Sequence, residues 1–228
     1  MSAIRMMAVF ARRVGMTPQA FHDHWRYPHG SLGQGIRIIK RYVQSHQVDV
    51  DFLDADQNRY EGIAEVWFDS EADAAAFVTD PDYVAYALKD EPNFVDMDNF
   101  FAVFAREEVL KSRAEALRGD EAAYNWSIDR RPNFAKLTQV VFEEGGTAWA
   151  GDDDFALGER LGAFRHTRCH PIEKLVLPGP SVIGVRELYW PTRTLAEQGI
   201  AAAGDAFHAL FSRAPKAQTI FSISERYV

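Results

Sequence analysis

The chain of 228 residues has one cysteine, Cys169, and is short of positive charge, with 25 Lys and Arg against 33 Asp and Glu and a formal net charge of −8. A single thiol excludes a disulfide framework and a cysteine-rich metal site, and it fits a reducing, cytoplasmic compartment. The acidic balance argues against a nucleic-acid backbone or an anionic membrane as partner, since both require a basic face. No apolar run approaches the roughly 20 residues that span a bilayer. The apolar start, 4–11, alternates in the manner of a first β-strand rather than a leader. The motifs GxGxxG, GxxxxGK(S/T), HExxH and GxSxG are also missing. His22 and His24 stand two apart on a helix, diverge by about 200° and cannot chelate together, so both read as solvated and no metal site is expected. The acidic run 152–154 precedes an apolar helix pattern and reads as capping charge.

What the chain does have is 47% apolar and 13% aromatic residues, enough for a substantial core in one large domain or two of about 110 residues. After the first strand, Thr17 caps a helix that opens on Pro18, whose missing N–H costs nothing there. Pro28 should end that helix near Tyr27. A second apolar-periodic piece covers 32–39, and 41–50 alternates as a strand with Tyr42, Gln44 and His46 on one face. Next come a strand over 62–68, a helix over 71–78 started by Ser70 and Asp73, a helical turn after Asp80-Pro81, and a strand over 100–106.

This order, βαββαβ, is a ferredoxin-like unit, an α+β plan. The second half repeats it: 62–68 aligns with 184–190 at an offset of 122, and 41–46 with 165–170 at 124. The reading is therefore two tandem units, 1–106 and 134–228, joined by a partly helical linker over 107–133 that is rich in Glu, Ala, Leu and Arg.

The stretch 16–46 gathers four of the seven histidines. His29 lies where the backbone turns and has a pKa range suited to general acid–base work, although a histidine there could equally cap the helix. His46, Tyr42 and Gln44 would offer a base, a phenol and an amide at ~7 Å steps along a strand, or else face solvent. Trp25 suits a pocket wall, and Phe21 suits core packing. The spacing Phe21, Trp25, His29, followed by Tyr42 and His46, resembles the signature of the EthD family. The resemblance implies an intramolecular version of the dimeric α+β barrel, in which two sheets face each other and close a cavity between them. It makes His29, His46 and Tyr42 the catalytic candidates, and Trp25, Phe21, Gln44, His166 and His170 the candidates for substrate binding. In the second half the motif decays to Phe155, Glu159 and Ala163, so one cavity belonging to the first half is expected.

The resemblance implies a cofactor-independent lyase or isomerase that moves protons on an apolar, aromatic substrate. A binding protein for a hydrophobic metabolite, and a cofactor-free monooxygenase or haem-binding barrel, stand as alternatives. The internal barrel needs no second chain, although a homodimer through the remaining surfaces fits equally.

Overall fold

The computed structural model describes residues 4–112, 132–143 and 148–228, so most of the expected linker helix lies outside the described residues. The elements are β1 (Ile4–Arg12), α1 (Pro18–His24), α2 (Gly30–Gln34), β2 (Arg41–Gln47), β3 (Gly62–Phe68), α3 (Glu71–Phe77), α4 (Leu88–Phe94) and β4 (Val95–Ser112). Then come β5 (Asn133–Phe142), α5 (Asp154–Arg160), β6 (Arg165–Pro171), β7 (Val182–Trp190), α6 (Arg193–Ala202), α7 (Gly204–Phe211) and β8 (Ala217–Arg226). The local starts follow the side chains. Thr17 accepts from the Ala20 N–H at 3.2 Å, and Ser70 from the Asp73 N–H at 3.1 Å.

Two local expectations are corrected. The first helix does not stop at Tyr27 but continues through Pro28 as a π turn, Trp25–His29, into α2. Proline has no N–H to donate, and the wider register, with the Gly30 N–H reaching the Trp25 carbonyl, absorbs the missing bond. The last strand of the first half runs from Val95 to Ser112, so the boundary expected at 106 falls inside β4, whose distal part pairs with β6.

The eight strands close an antiparallel barrel in the order β1-β3-β2-β8-β5-β7-β6-β4. Within it the first four strands run β4-β1-β3-β2 and the last four β8-β5-β7-β6. Strand alternation separates two environments. On β1, Met7 and Val9 join an apolar cluster drawn from several strands, with Ile63, Val103, Val140, Cys169, Val185 and Ile220, which therefore fills the lumen. Ile4, Met6, Ala8 and Phe10 face outward to the helices of the first half, with Phe21, Trp25 and Phe94. In the second half Leu137, Leu188, Trp190 and Phe221 pack against α5, α6 and α7.

Charge also sits in the lumen. Arg5 pairs with Glu65 at 3.0 Å and with Glu187, while Lys136 pairs with Glu65 and, at 3.1 Å, with Glu187. All four are essentially sealed from solvent. Arg5 stands opposite Trp67 and Lys136 opposite Tyr189, while Glu65 and Glu187 precede those aromatics by two residues. Each half thus supplies a cation and a carboxylate from corresponding places. Ser45 donates to Glu65 at 2.8 Å and Tyr189 to Glu187 at 2.7 Å, which satisfies further lone pairs. Burial also pushes the Cys169 thiol up to about 12, which leaves it an inert core group. A void of about 20 Å³, room for about one water, lies beside this network among Glu65, Trp67, Glu107, Arg165 and Tyr189. Among the described residues this charged part of the lumen has no room for an organic ligand, and a wider space of about 680 Å³ opens beside Tyr60 and Phe142, at the edge of the lumen cluster.

Removing one member of a buried ion network typically costs about 3–5 kcal/mol, because the partner charge is left uncompensated. Glu187→Gln should lower the unfolding free energy by about that much, read from urea denaturation at pH 7. Burial pushes the Glu187 pKa up, but Arg5 and Lys136 outweigh it and hold the carboxyl below its ordinary value. Its stabilisation is thus present above the unfolded pKa, about 4.3, and is lost as pH falls below it. Wild-type stability should drop in that acid window, and the drop should be shallower in Glu187→Gln.

Candidate functional site

A cavity of about 330 Å³ lies outside the barrel, between the sheet of the first half and its helices. Its walls are apolar and aromatic, with Met6, Phe10, Trp25, Phe77, Phe94 and Phe100 among them. Four lining residues besides Trp25 bring polar atoms to it: His29, Tyr42, Tyr83 and Glu91. None of the described lining residues is Lys or Arg. Such a space suits an uncharged apolar ligand with few polar atoms.

Two π turns build this wall. The first, Trp25–His29, buries Trp25 and His29 together. The second, Tyr83–Ala87, leads into α4, which brings Asp90 and Glu91 to the site. Turns of this kind recur at functional sites. His29 Nδ1 lies 3.1 Å from Asp90 Oδ2, and His24 Nε2 lies 3.0 Å from the same carboxyl. Burial raises the Asp90 pKa, but hydrogen bonds from Asn93, His24 and His29 outweigh it and keep the group ionised. An ionised carboxylate only accepts, so His29 donates through Nδ1 and its Nε2 carries the lone pair. Burial lowers the His29 pKa and Asp90 opposes that, so the imidazole is neutral yet supported against a developing positive charge. This is the arrangement of an oriented general base.

One residue further along α4, Glu91 accepts from the Tyr83 hydroxyl at 2.8 Å. Burial raises Glu91 to about 7. A carboxyl that changes charge near neutrality inside an apolar cavity can take up or release a proton there. Burial raises Tyr42 and Tyr83 above the ordinary phenol value, so both serve as hydrogen-bonding groups rather than as bases.

Tyr42, Gln44 and His46 do share one face of β2, but only Tyr42 lines the cavity. The Tyr42 oxygen accepts from Trp25 Nε1 at 3.2 Å and from Gln44 Nε2 at 2.8 Å. His46 Nε2 lies 3.1 Å from Gln44 Oε1, which can only accept, so His46 is protonated at Nε2. His22 then donates from Nδ1 to His46 Nδ1 across 2.8 Å. Burial, reinforced by Arg26, lowers His46 to about 2 and His22 to about 4, so the pair stays neutral. His46 packs against Trp25, at 4.3 Å between ring centroids, and supports the cavity wall from behind. Two expectations change accordingly: His46 does not reach the cavity with His29, and His22 and His24 are paired side chains rather than solvated ones. Phe21 is core, packed edge-on or tilted against Phe10, Trp25 and Phe94.

His166 and His170 lie in the other half. A Cβ at position 158 would collide with the buried His166 ring, and His170 is at the surface, 2.8 Å from Glu108. Neither lines the cavity. Among the described residues no group of three or more His, Cys, Asp or Glu is placed to hold a metal ion. No helix among them is long and apolar enough to cross a membrane.

Sequence reading missed Asp90, Glu91 and Tyr83. The segment Tyr83–Glu91 carried one signal, acidic residues beside aromatics, but nothing in it named the distant His29 as partner.

Residues 13–98, which hold the cavity's polar residues, match the family model of the EthD domain. Over its whole length the chain is similar to the crystal structure of an anthrone oxidase-like protein, with TM-score 0.57 and 12% identity, covering 100% of this chain and 94% of that one. It is also similar to a candidate monooxygenase from Fusobacterium nucleatum, with TM-score 0.56 and 7% identity, covering 98% of this chain and 94% of that one. A candidate monooxygenase from Lactobacillus acidophilus gives TM-score 0.50 and 6% identity, with 100% and 95% covered. At such identities the likeness concerns the fold. No curated protein matches the sequence.

Glu91 supplies a test of the site's electrostatics. Its folded pKa of about 7 lies above the unfolded value, about 4.3. Its neutral form is favoured by folding, so that contribution is complete below pH 4.3 and lost as pH rises through 7. Thermal stability of the ligand-free protein should decline across that window, and Glu91→Gln should flatten the decline.

Proposed function

We propose that the protein is a small-molecule enzyme in which the first of two ferredoxin-like units, β1 to β4, transfers protons on an apolar ring substrate. The second unit, 134–228, completes the barrel. The like strand orders of the two quartets support the two-unit reading. The observation that carries the catalytic reading is the His29–Asp90 pair at the wall of an apolar cavity that also holds Glu91.

In this mechanism His29 Nε2 accepts a proton from a carbon next to a substrate carbonyl, and Asp90 stabilises the resulting imidazolium. Neutral Glu91 or the Tyr42 hydroxyl donates a hydrogen bond to the oxygen on which negative charge develops. Return of the proton to another carbon gives isomerisation; loss of a β-substituent gives elimination. The cavity's size, about twice the ~150 Å³ that holds one benzene ring, fits two or three fused rings. A second reading follows from the similar structures, an anthrone oxidase-like protein and a monooxygenase: the same carbanion could pass electrons to dioxygen, with proton removal by His29 unchanged.

The test uses 2-tetralone, a two-ring ketone, in D₂O without oxygen. NMR should show enzyme-dependent exchange of the protons beside its carbonyl. His29→Ala should slow that exchange by about 10²- to 10⁴-fold. His208→Ala, on exposed α7, serves as control. Oxygen uptake with anthrone under air distinguishes the oxidative reading. Binding of the ketone without exchange or oxygen uptake would overturn the enzyme reading in favour of a carrier.

A further inference from the structure

The β6–β7 connection, residues 172–181, belongs to the second half yet reaches the cavity of the first. Leu177 and Pro178 line the cavity together with Val78 and Met97. Leu177 is half-buried and Pro178 exposed, so the connection lies where the cavity meets solvent; Val78 and Met97, 40% and 44% exposed, also reach the surface. The connection is held as a wall. The Ile172 N–H donates to the Phe104 carbonyl at 2.8 Å, and the Leu175 N–H closes a turn onto the Ile172 carbonyl at 2.9 Å. Leu175 and Leu177 pack on the same apolar cluster as Phe10 and Trp25.

At the other end Gly179 has φ +136°, and a Cβ there would stand 3.0 Å from the Phe101 Cβ. Only glycine adopts that conformation readily and lets the backbone come so close to β4. Just beyond it, the Ser181 carbonyl accepts from the Glu143 N–H at 2.9 Å. Between these anchors Val176 points away, 82% exposed, while its neighbour Leu177 turns inward.

The geometry points to Leu177, seated by Pro178 and Gly179, as the residue that sets how large a ring system the cavity admits. The inference rests on the reading of this cavity as the substrate site. Leu177 is a large side chain at the solvent side, on a segment fixed at both ends, so its volume translates directly into the length available behind it. A change of one methylene in a fitted apolar pocket shifts discrimination by roughly 10- to 200-fold. The second half thereby contributes to specificity, although its histidines do not.

Calorimetric titration of the full chain with 2-naphthol (two rings) and 1-hydroxypyrene (four rings) tests this. The wild type should bind 2-naphthol and discriminate against 1-hydroxypyrene. Leu177→Ala should narrow the ratio of the two dissociation constants at least about tenfold, and Leu177→Trp should weaken 2-naphthol by a similar factor. Gly179→Ala, which displaces the segment from β4, should act in the same direction as Leu177→Ala. Val176→Ala should change neither constant. If the wild type binds 2-naphthol but all three variants leave the ratio within twofold, the assignment of Leu177 is overturned while the cavity reading stands. If the wild type binds neither phenol, the substrate-site reading fails and the role of Leu177 fails with it.

Discussion

Arg5, Lys136, Glu65 and Glu187 form a shared ion network in the barrel lumen, extended by Glu107 and Arg165, and the architecture around them follows from the need to keep these charges paired. Arg5 and Glu65 come from the first half, Lys136 and Glu187 from the second, and each cation bridges both carboxylates. A buried charge without its partner is far more costly than an apolar residue in the same place. The pairing therefore ties the two halves to one relative position, with β2 against β8 and β4 against β6. It also occupies the middle of the lumen, and the apolar cavity lies elsewhere.

Elsewhere is the layer between sheet and helices, and there the halves diverge. Beneath α5, α6 and α7 the space is closed by Leu137, Leu188, Trp190 and Phe221. Beneath α1 and α4 the two π turns leave a hollow. Pro28 has a part in this asymmetry, because it shifts the helix into the wider register that carries His29 inward. The polar side chains there are arranged in two separate systems. His29 and Glu91 address the cavity through Asp90 and Tyr83, while His22, His46 and Gln44 form a neutral chain that holds Tyr42 and Trp25 in place.

Much of the fold was legible in the sequence because it rests on local chemistry. Thr17-Pro18 and Ser70 announce helix starts, and the alternation over 62–68 marks a strand whose bounds the structure repeats. The α+β class and the barrel follow from those elements taken with the family resemblance. What local pattern cannot carry is pairing at a distance. Nothing in the local pattern singles out Arg5 or Lys136, since alternation gives two faces without saying which one meets a carboxylate from the other half. For the same reason His29 was legible as a candidate, but its partner Asp90, 61 positions away, was not. His46 was placed on the correct face of β2, yet Trp25 lies over it and separates it from the cavity.

The central claim is that ligand binds between the helices and the sheet of the first half, against His29 and Glu91, and not inside the barrel. A crystal of the protein soaked with 2-naphthol tests it most directly. The account expects density for the two rings among Phe10, Trp25 and Phe94, with the hydroxyl within hydrogen-bond distance of His29 Nε2 or the Glu91 carboxyl. An empty cavity under saturating ligand, or a ring system bound only at another place in the fold, would contradict it.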